Sequence, residues 1–193
     1  MQTDEQKEYN KKIPGWLGDF DLVAISKLAS ATPKYATIAE VGSMHGKSAY
    51  CIATSAPTAS LYCYDLWRED LVRSSDEIDR NNSIDEFKKH VGMCENIIPT
   101  RIKSADDVQH ENLSVDMFFL DAAHTNPSDW EWIEFWLPKI KKGGVICGHD
   151  YYQPGKHTKI HYPDINENIE KLEKILNQKV TTYVASCIWS FKL

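Results

Sequence analysis

The chain has no run of basic residues. Its 22 lysines and arginines are outnumbered by 28 acids, for a net charge of −6. No electrostatic footprint for a nucleic-acid backbone is present, and nucleic acid is not expected as a partner. No apolar run approaches membrane-spanning length, and the opening MQTDEQKEYNKK lacks the apolar core of a signal peptide. Neither membrane association nor secretion is therefore expected. The five cysteines (Cys51, Cys63, Cys94, Cys147, Cys187) are odd in number and have no metal-ligand spacing. Most fall in apolar strand or helix patterns, so the expectation is buried, reduced thiols in a cytoplasmic protein. Internal repeats and linker-like stretches are also missing. At 193 residues and 42% hydrophobic, the chain can fill one α/β core but is too short for two domains of ordinary size. A single domain over 1–193 is expected, with a polar extension at 1–14 that frays or lies on the surface.

The most informative stretch is IAEVGSMHGKS, residues 38–48. An apolar strand meets an acid, two glycines and a helix start. Glycines allow a sharp turn and a close backbone approach, and a helix start offers unpaired N–H groups and a positive dipole end. Three ligands compete for such a loop. A P-loop needs four residues between its glycines, but Gly42 and Gly46 enclose three, and Glu40 would repel a polyphosphate. A dinucleotide fingerprint needs a further glycine where Ser43 and Met44 stand. The third spelling, E-x-G-x-x-x-G, places an acid beside a cationic group such as the ammonium or sulfonium of S-adenosylmethionine. An ordinary strand–turn–helix without ligand would also use Gly and Ser.

Alternating patterns follow along the chain. A helix is expected over 19–31, a strand over 36–41, a helix over 46–55, and a strand at 61–65 that ends in Asp65. A polar, non-periodic connection spans 66–82; one so long is usually functional or mobile. A helix at 83–92 leads to a strand at 97–103, and residues 115–121 form a buried strand ending in Asp121. Ser128 and Glu131 have the spacing of a capping box. They open a helix with Ile133, Trp136, Leu137 and Ile140 on one face, closed by Lys139, Lys141, Lys142 and Gly143-Gly144. A strand at 144–148 runs into His149-Asp150, and a helix at 165–177 follows. Segments 180–184 and 187–191 look like a closing antiparallel pair. The result is an α/β doubly wound sheet whose ligands bind at the strand carboxyl ends. Acids stand at four of those ends, which a core does not require. Asp65 lies close to 20 residues beyond Gly46, near the spacing at which an acid takes ribose hydroxyls, although a turn or helix-capping Asp has the same look.

The ordered set E-V-G-S-x-x-G-x-S, Y-D-L-W, L-D-A-A-H-T and W-L-P-K-I-K-K-G-G-V-I-C-G-H-D-Y resembles the class I S-adenosylmethionine-dependent methyltransferases. Within them it is most similar to a small bacterial and phage-type branch that includes macrocin-like sugar O-methyltransferases. The resemblance spans roughly 15–192 and implies a Rossmann-like, seven-stranded, mostly parallel sheet of order 3-2-1-4-5-7-6 with helices on both faces. It implies that Glu40, Gly42, Ser43 and Gly46 surround the methionine part of S-adenosylmethionine, with Ser48 on its carboxylate and Asp121 nearby. Asp65 would hold the ribose, and Leu66 or Trp67, with Ser104 and Ala105, the adenine. Asp106 or Asp107 would accept from the adenine amino group or cap a turn.

Acceptor chemistry falls to Asp121, His124, His149 and Asp150. Methyl transfer from a sulfonium is an in-line displacement in which the acceptor must lose a proton, a task suited to histidine. In the macrocin-like branch the D-x-x-H histidine acts as base and its acid binds magnesium; His124 and Asp121 match. Asp121 and Asp150 can offer oxygen ligands to Mg2+, but metal-using relatives carry an acid or amide where this chain has His149, which argues against a purely hard site. His149 and Asp150 would then hold the base instead. His45, His90 and His110 are expected on the surface or in loops, and His157 and His161 flank a loop facing the acceptor. The reading is an enzyme, an O-methyltransferase of a small polar acceptor such as a sugar or glycoside. A catalytically silent cofactor-binding or partner module and an NAD-dependent dehydrogenase are the alternatives. The acceptor pocket is expected from 1–18, 66–82 and 151–164, with the site small, partly open or completed by a second subunit of a homo-oligomer.

Overall fold

A computed structural model describes residues 2–67, 82–102, 105–108, 112–153 and 162–193. Residues 68–81 of the connection expected over 66–82, Ser104, His110 and the loop bearing His157 and His161 lie outside the described residues. The strands are β1 (Thr37–Val41), β2 (Ser60–Asp65), β3 (Ile97–Arg101), β4 (Val115–Leu120), β5 (Ile140–Gly148), β6 (Thr181–Thr182) and β7 (Trp189–Lys192). They form one sheet of order β3-β2-β1-β4-β5-β7-β6, in which β7 runs antiparallel to β5 and β6. This is the order implied by the resemblance. The helices are α1 (Asp4–Lys12), α2 (Asp19–Ser30), α3 (Lys47–Ser55), α4 (Ile84–Val91), α5 (Ser128–Trp136) and α6 (Pro163–Leu176).

Strand alternation sorts the core into two layers. Ile38, Leu61, Met117 and Phe119 pack with Ile25, Ile52 and Phe87 on the α1–α4 face. Ala39, Tyr64, Phe118 and Leu120 pack with Ile133, Trp136, Ile169 and Leu172 beneath α5 and α6. Burial of each large side chain stabilises the fold by roughly 1.5–3 kcal/mol, and the rings of Phe118 and Trp136 stack 5.5 Å apart. The rigid sheet that results carries the functional loops at one edge.

Local chemistry explains where the structure departs from the sequence reading. The N-terminal extension is a helix, started by a capping box between Thr3 and Gln6. It docks on α3 and α4: the Tyr9 ring lies 5.0 Å from that of Tyr50, and its hydroxyl donates to the carbonyl of His90 at 2.9 Å. The expected Ser128–Glu131 capping box is absent. Ser128 is the first residue of α5 and no side chain caps that end. The helix also stops at Trp136, and a 3-10 turn spans Leu137–Lys139, because Pro138 cannot extend the helical hydrogen bonding. Lys141, Lys142, Gly143 and Gly144 therefore belong to β5 rather than to a helix end. The pairing jumps from Val115 opposite Ile140 to Met117 opposite Val145, and the lysines and glycines between them form a bulge with Gly143 at φ +83°. No helix among the described residues is long and apolar enough to cross a membrane.

Candidate functional site

The sheet bonds extend one residue past the strands and align the loops. Gly42 N–H donates to the carbonyl of Tyr64, Asp121 N–H to that of Val41, and His149 N–H to that of Leu120, at 2.9, 2.9 and 3.1 Å. A cavity of about 590 Å³ opens along these ends, inside the range of small-molecule sites. Gly42, at φ +92°, allows the close approach: a Cβ there would collide with the carbonyl of Asp121. Gly46 begins α3 in the left-handed region, and a Cβ on it would meet Val91.

Of the residues expected around the cofactor, Gly42, Ser43, Ser48, Asp65, Leu66 and Asp121 line the cavity. Trp67 does not. It is fully buried behind the wall, 4.9 Å from the Phe87 ring, and its indole N–H donates to the carbonyl of Met44 at 2.8 Å. Of the two candidates for the adenine wall, only Leu66 lines the cavity, as does Trp132 from α5. Ala105 opens a short 3-10 turn, and Asp107 is exposed on it. Glu40 is also wholly buried and stands behind Ser43, whose hydroxyl donates to it at 2.5 Å. Its second oxygen has no partner at hydrogen-bond distance among the described residues. Burial pushes its carboxyl up to about 7, only partly offset by Ser43, Ser48 and Cys63.

Asp65 accepts from Met44 N–H at 2.8 Å and from Trp67 N–H at 2.7 Å. It ties the glycine loop to β2 and lines the cavity wall. Burial raises its pKa against these backbone bonds. His45, expected at the surface or in a loop, stands in the glycine loop but is buried; it lines the same wall and offers its carbonyl to His90 Nδ1 at 3.1 Å. His90 itself is half-buried in α4.

The β4 and β5 ends are built from charge. His124, at φ +60°, places Nε2 3.2 Å from Asp121 Oδ1 and 2.9 Å from Asp150 Oδ2. His149 Nδ1 lies 3.2 Å from Asp150 Oδ2 and 3.7 Å from Asp121 Oδ1. Burial disfavours the charged ring of His124, but the two carboxylates outweigh it and hold the imidazole at about 10. His149 is raised well above its usual value on the same balance. Burial opposes ionisation of Asp121 and Asp150 as well, and their histidine partners keep both carboxyls below the usual range. Asp121, His124 and Asp150 each bring a ligand atom within 4.8 Å of the others, a grouping that can hold a metal ion. The Tyr162 ring stacks on His124 at 4.5 Å.

Sequence reasoning missed Asp21. This buried acid of α2 faces His149 Nε2 at 3.5 Å and accepts from Ser186 Oγ, Cys187 N–H and Gly18 N–H at 2.7, 3.0 and 2.9 Å. Its signal was present: an acid at helical spacing from Ile25 and Leu28 on the inward face. Asp129 was missed as well. It is fully buried and accepts from Ala123 N–H at 3.0 Å, fixing the turn that presents His124.

A family model described as a methyltransferase domain matches residues 39–151. No curated protein sequence matches the chain. Among solved structures, an O-methyltransferase from Bacillus cereus in complex with SAH is 15% identical with a TM-score of 0.62, covering 100% of this chain and 93% of that one. A Staphylococcus aureus structure provisionally assigned as a caffeoyl-CoA O-methyltransferase is 14% identical with a TM-score of 0.68, covering 97% and 88%. The MycE methyltransferase of the mycinamycin biosynthetic pathway, solved with Mg and SAH, is 13% identical with a TM-score of 0.61, covering 100% and 55%. At such identities the likeness speaks for the fold.

The cavity's own residues fit S-adenosylmethionine: Gly42, where a Cβ would collide with the Asp121 carbonyl, brings the glycine loop in close, and the acid Asp65 lines the wall one strand away. With the family match over more than half its length, the chain belongs to the methyltransferase-domain family, has the class I methyltransferase fold and takes S-adenosylmethionine as its cofactor.

Proposed function

We propose that the protein is an O-methyltransferase of a small polar acceptor, such as a sugar or glycoside, with His124 as the residue that takes the acceptor proton. The observation that carries this reading is the position of His124, held on the cavity wall between Asp121 and Asp150 with Nε2 at 3.2 and 2.9 Å. Transfer from the sulfonium needs a hydroxyl oxygen roughly 3 Å from the methyl carbon, in line with the breaking bond. The glycine loop and Asp65 fix the donor end; His124, Asp121 and Asp150 bound the other. MycE, which shares the fold, belongs by its name to the mycinamycin biosynthetic pathway, and the resemblance of the D-A-A-H segment to the macrocin-like branch favours a sugar acceptor.

Asp121 and Asp150 fit a divalent cation, being oxygen donors on neighbouring strand ends. Bound there, the cation would polarise the hydroxyls of a diol acceptor. His124 as it stands is an imidazolium at neutral pH, because it sits against two carboxylates. A cation on those acids would take over that charge, lower the pKa of the ring and free its lone pair for the acceptor proton. Asp129 holds the 121–124 turn throughout.

The decisive experiment incubates the protein with S-adenosylmethionine, a divalent cation and a panel of sugars, glycosides and catechols, and follows S-adenosylhomocysteine. Turnover on a hydroxyl acceptor supports the reading. Cofactor binding by calorimetry without product on any acceptor would leave a cofactor-binding partner module.

A further inference from the structure

Two imidazoles face the Asp121–Asp150 pair, and they are held differently. His124 sits on a turn with about a quarter of its side chain exposed, against the Tyr162 ring and the open cavity. His149 is fixed on every side. It directly follows β5, its carbonyl accepts from the Trp189 indole at 3.1 Å, its Nε2 faces Asp21 at 3.5 Å, and its Nδ1 points at the two carboxylates. Asp21 is itself locked by three donors, from Ser186, Cys187 and Gly18. A carboxylate that engages one ring nitrogen while the other faces a candidate ion is how metal-binding histidines are oriented and their tautomer set.

The distances agree with that role. Ligand atoms about 2.1 Å from a common ion lie about 3.0 Å apart in octahedral and about 3.4 Å apart in tetrahedral geometry. His149 Nδ1 lies 3.2 and 3.7 Å from the nearest oxygens of Asp150 and Asp121, and His124 Nε2 lies 2.9 and 3.2 Å from them; the Asp21 carboxylate behind His149 is what distinguishes the two rings. We infer that His149, oriented by Asp21, is a direct ligand of the divalent cation, and that the site accordingly takes a first-row transition-metal ion such as manganese(II) in preference to magnesium. Imidazole is a borderline donor that suits transition metals, whereas magnesium keeps to oxygen. The arrangement also divides the work: the anchored ring holds the ion and the ring at the cavity turns to the acceptor. The inference rests on the metal reading proposed above.

The test titrates the metal-free protein with MnCl2 and, separately, MgCl2 by calorimetry, then records electron spin-echo modulation of the manganese-loaded protein. The expected results are at least tenfold tighter binding of Mn2+ than of Mg2+ and a 14N modulation from one imidazole. His149→Asn should abolish the modulation and bring the two affinities within about threefold, whereas His124→Asn should leave the modulation in place. Asp21→Asn should weaken Mn2+ binding about 10- to 100-fold. Each variant's melting curve checks that it is folded, and 15N-histidine labelling of the unmutated protein identifies the nitrogen without any substitution. Equal Mn2+ and Mg2+ affinities, no nitrogen modulation, or modulation lost in His124→Asn and kept in His149→Asn would overturn the inference and leave the metal reading intact. Absence of binding by either ion at millimolar concentration would overturn both.

Discussion

The two halves of the cavity floor are made of different material. At the β1 and β2 ends the acid is held by main chain: Asp65 accepts two backbone N–H groups. At the β4 and β5 ends acids are held by side chains that themselves titrate, Asp121 and Asp150 by His124 and His149. Backbone donors carry no net charge and have no second protonation state. The wall around Asp65 is thus held by groups that do not titrate, while the acceptor half depends on how many protons or cations it holds. A cofactor common to a whole family suits the first kind of wall, and a proton-transfer step needs the second.

The largest expected effect breaks the acceptor half alone. His124→Ala should lower turnover about 10²- to 10⁴-fold, the usual contribution of a positioned acid–base group, with calorimetric affinity for S-adenosylmethionine nearly unchanged. A parallel loss of cofactor affinity would show that the two halves are not separable. Chelation should act on the same half: activity lost in EDTA and restored by a divalent cation, with unchanged activity ruling out a metal.

Asp65→Ala should do the reverse. It removes two charge-assisted bonds within the protein and the cofactor's diol partner, each worth about 1.5–3 kcal/mol, so cofactor affinity should fall about 10- to 100-fold in calorimetry. pH sharpens the contrast without mutation. His124, at about 10 in the folded protein against an ordinary 6.5, contributes stability that is complete below about 6.5 and lost as pH rises through about 10. Asp21, lowered to about 2, contributes stability present above its ordinary 3.8 and lost as pH falls through about 2. Thermal melts of the metal-free protein should therefore decline on both limbs, and His124→Ala should reduce the alkaline one while leaving the contribution of Asp21 on the acid side in place. The smallest effect lies outside both halves. Lys141 pairs with Asp116 at 2.7 Å but is 44% exposed, so Lys141→Ala should change stability by only about 0–1 kcal/mol, measured by denaturant unfolding.

The parallel strands were legible because buried runs such as VDMFFL are continuous and end in acids where ligands bind. Gly42 and Gly46 were legible because their backbone needs are local. What escaped the sequence depends on partners far along the chain. Lys141–Gly144 has the composition of a helix end, and only pairing with β4 makes it a bulged strand. Trp67 stands beside the ribose acid in sequence, yet its positive φ turns the ring into the core against Phe87. His45 is polar and loop-borne, but packing of α4 over the glycine loop buries it. The role of Asp21 was beyond reach because its partners come from the other end of the molecule.

That last distance has a consequence for assembly. Asp21 and Ser186 are separated by 165 residues, and the acid that orients His149 is locked only when the segment preceding β7 is in place. Contacts of such span close late, after local helices and neighbouring strands have formed. On a ribosome the glycine loop, Asp65 and even the His124 turn can be shaped while synthesis continues. The centre gains its final support only after nearly the whole chain has emerged.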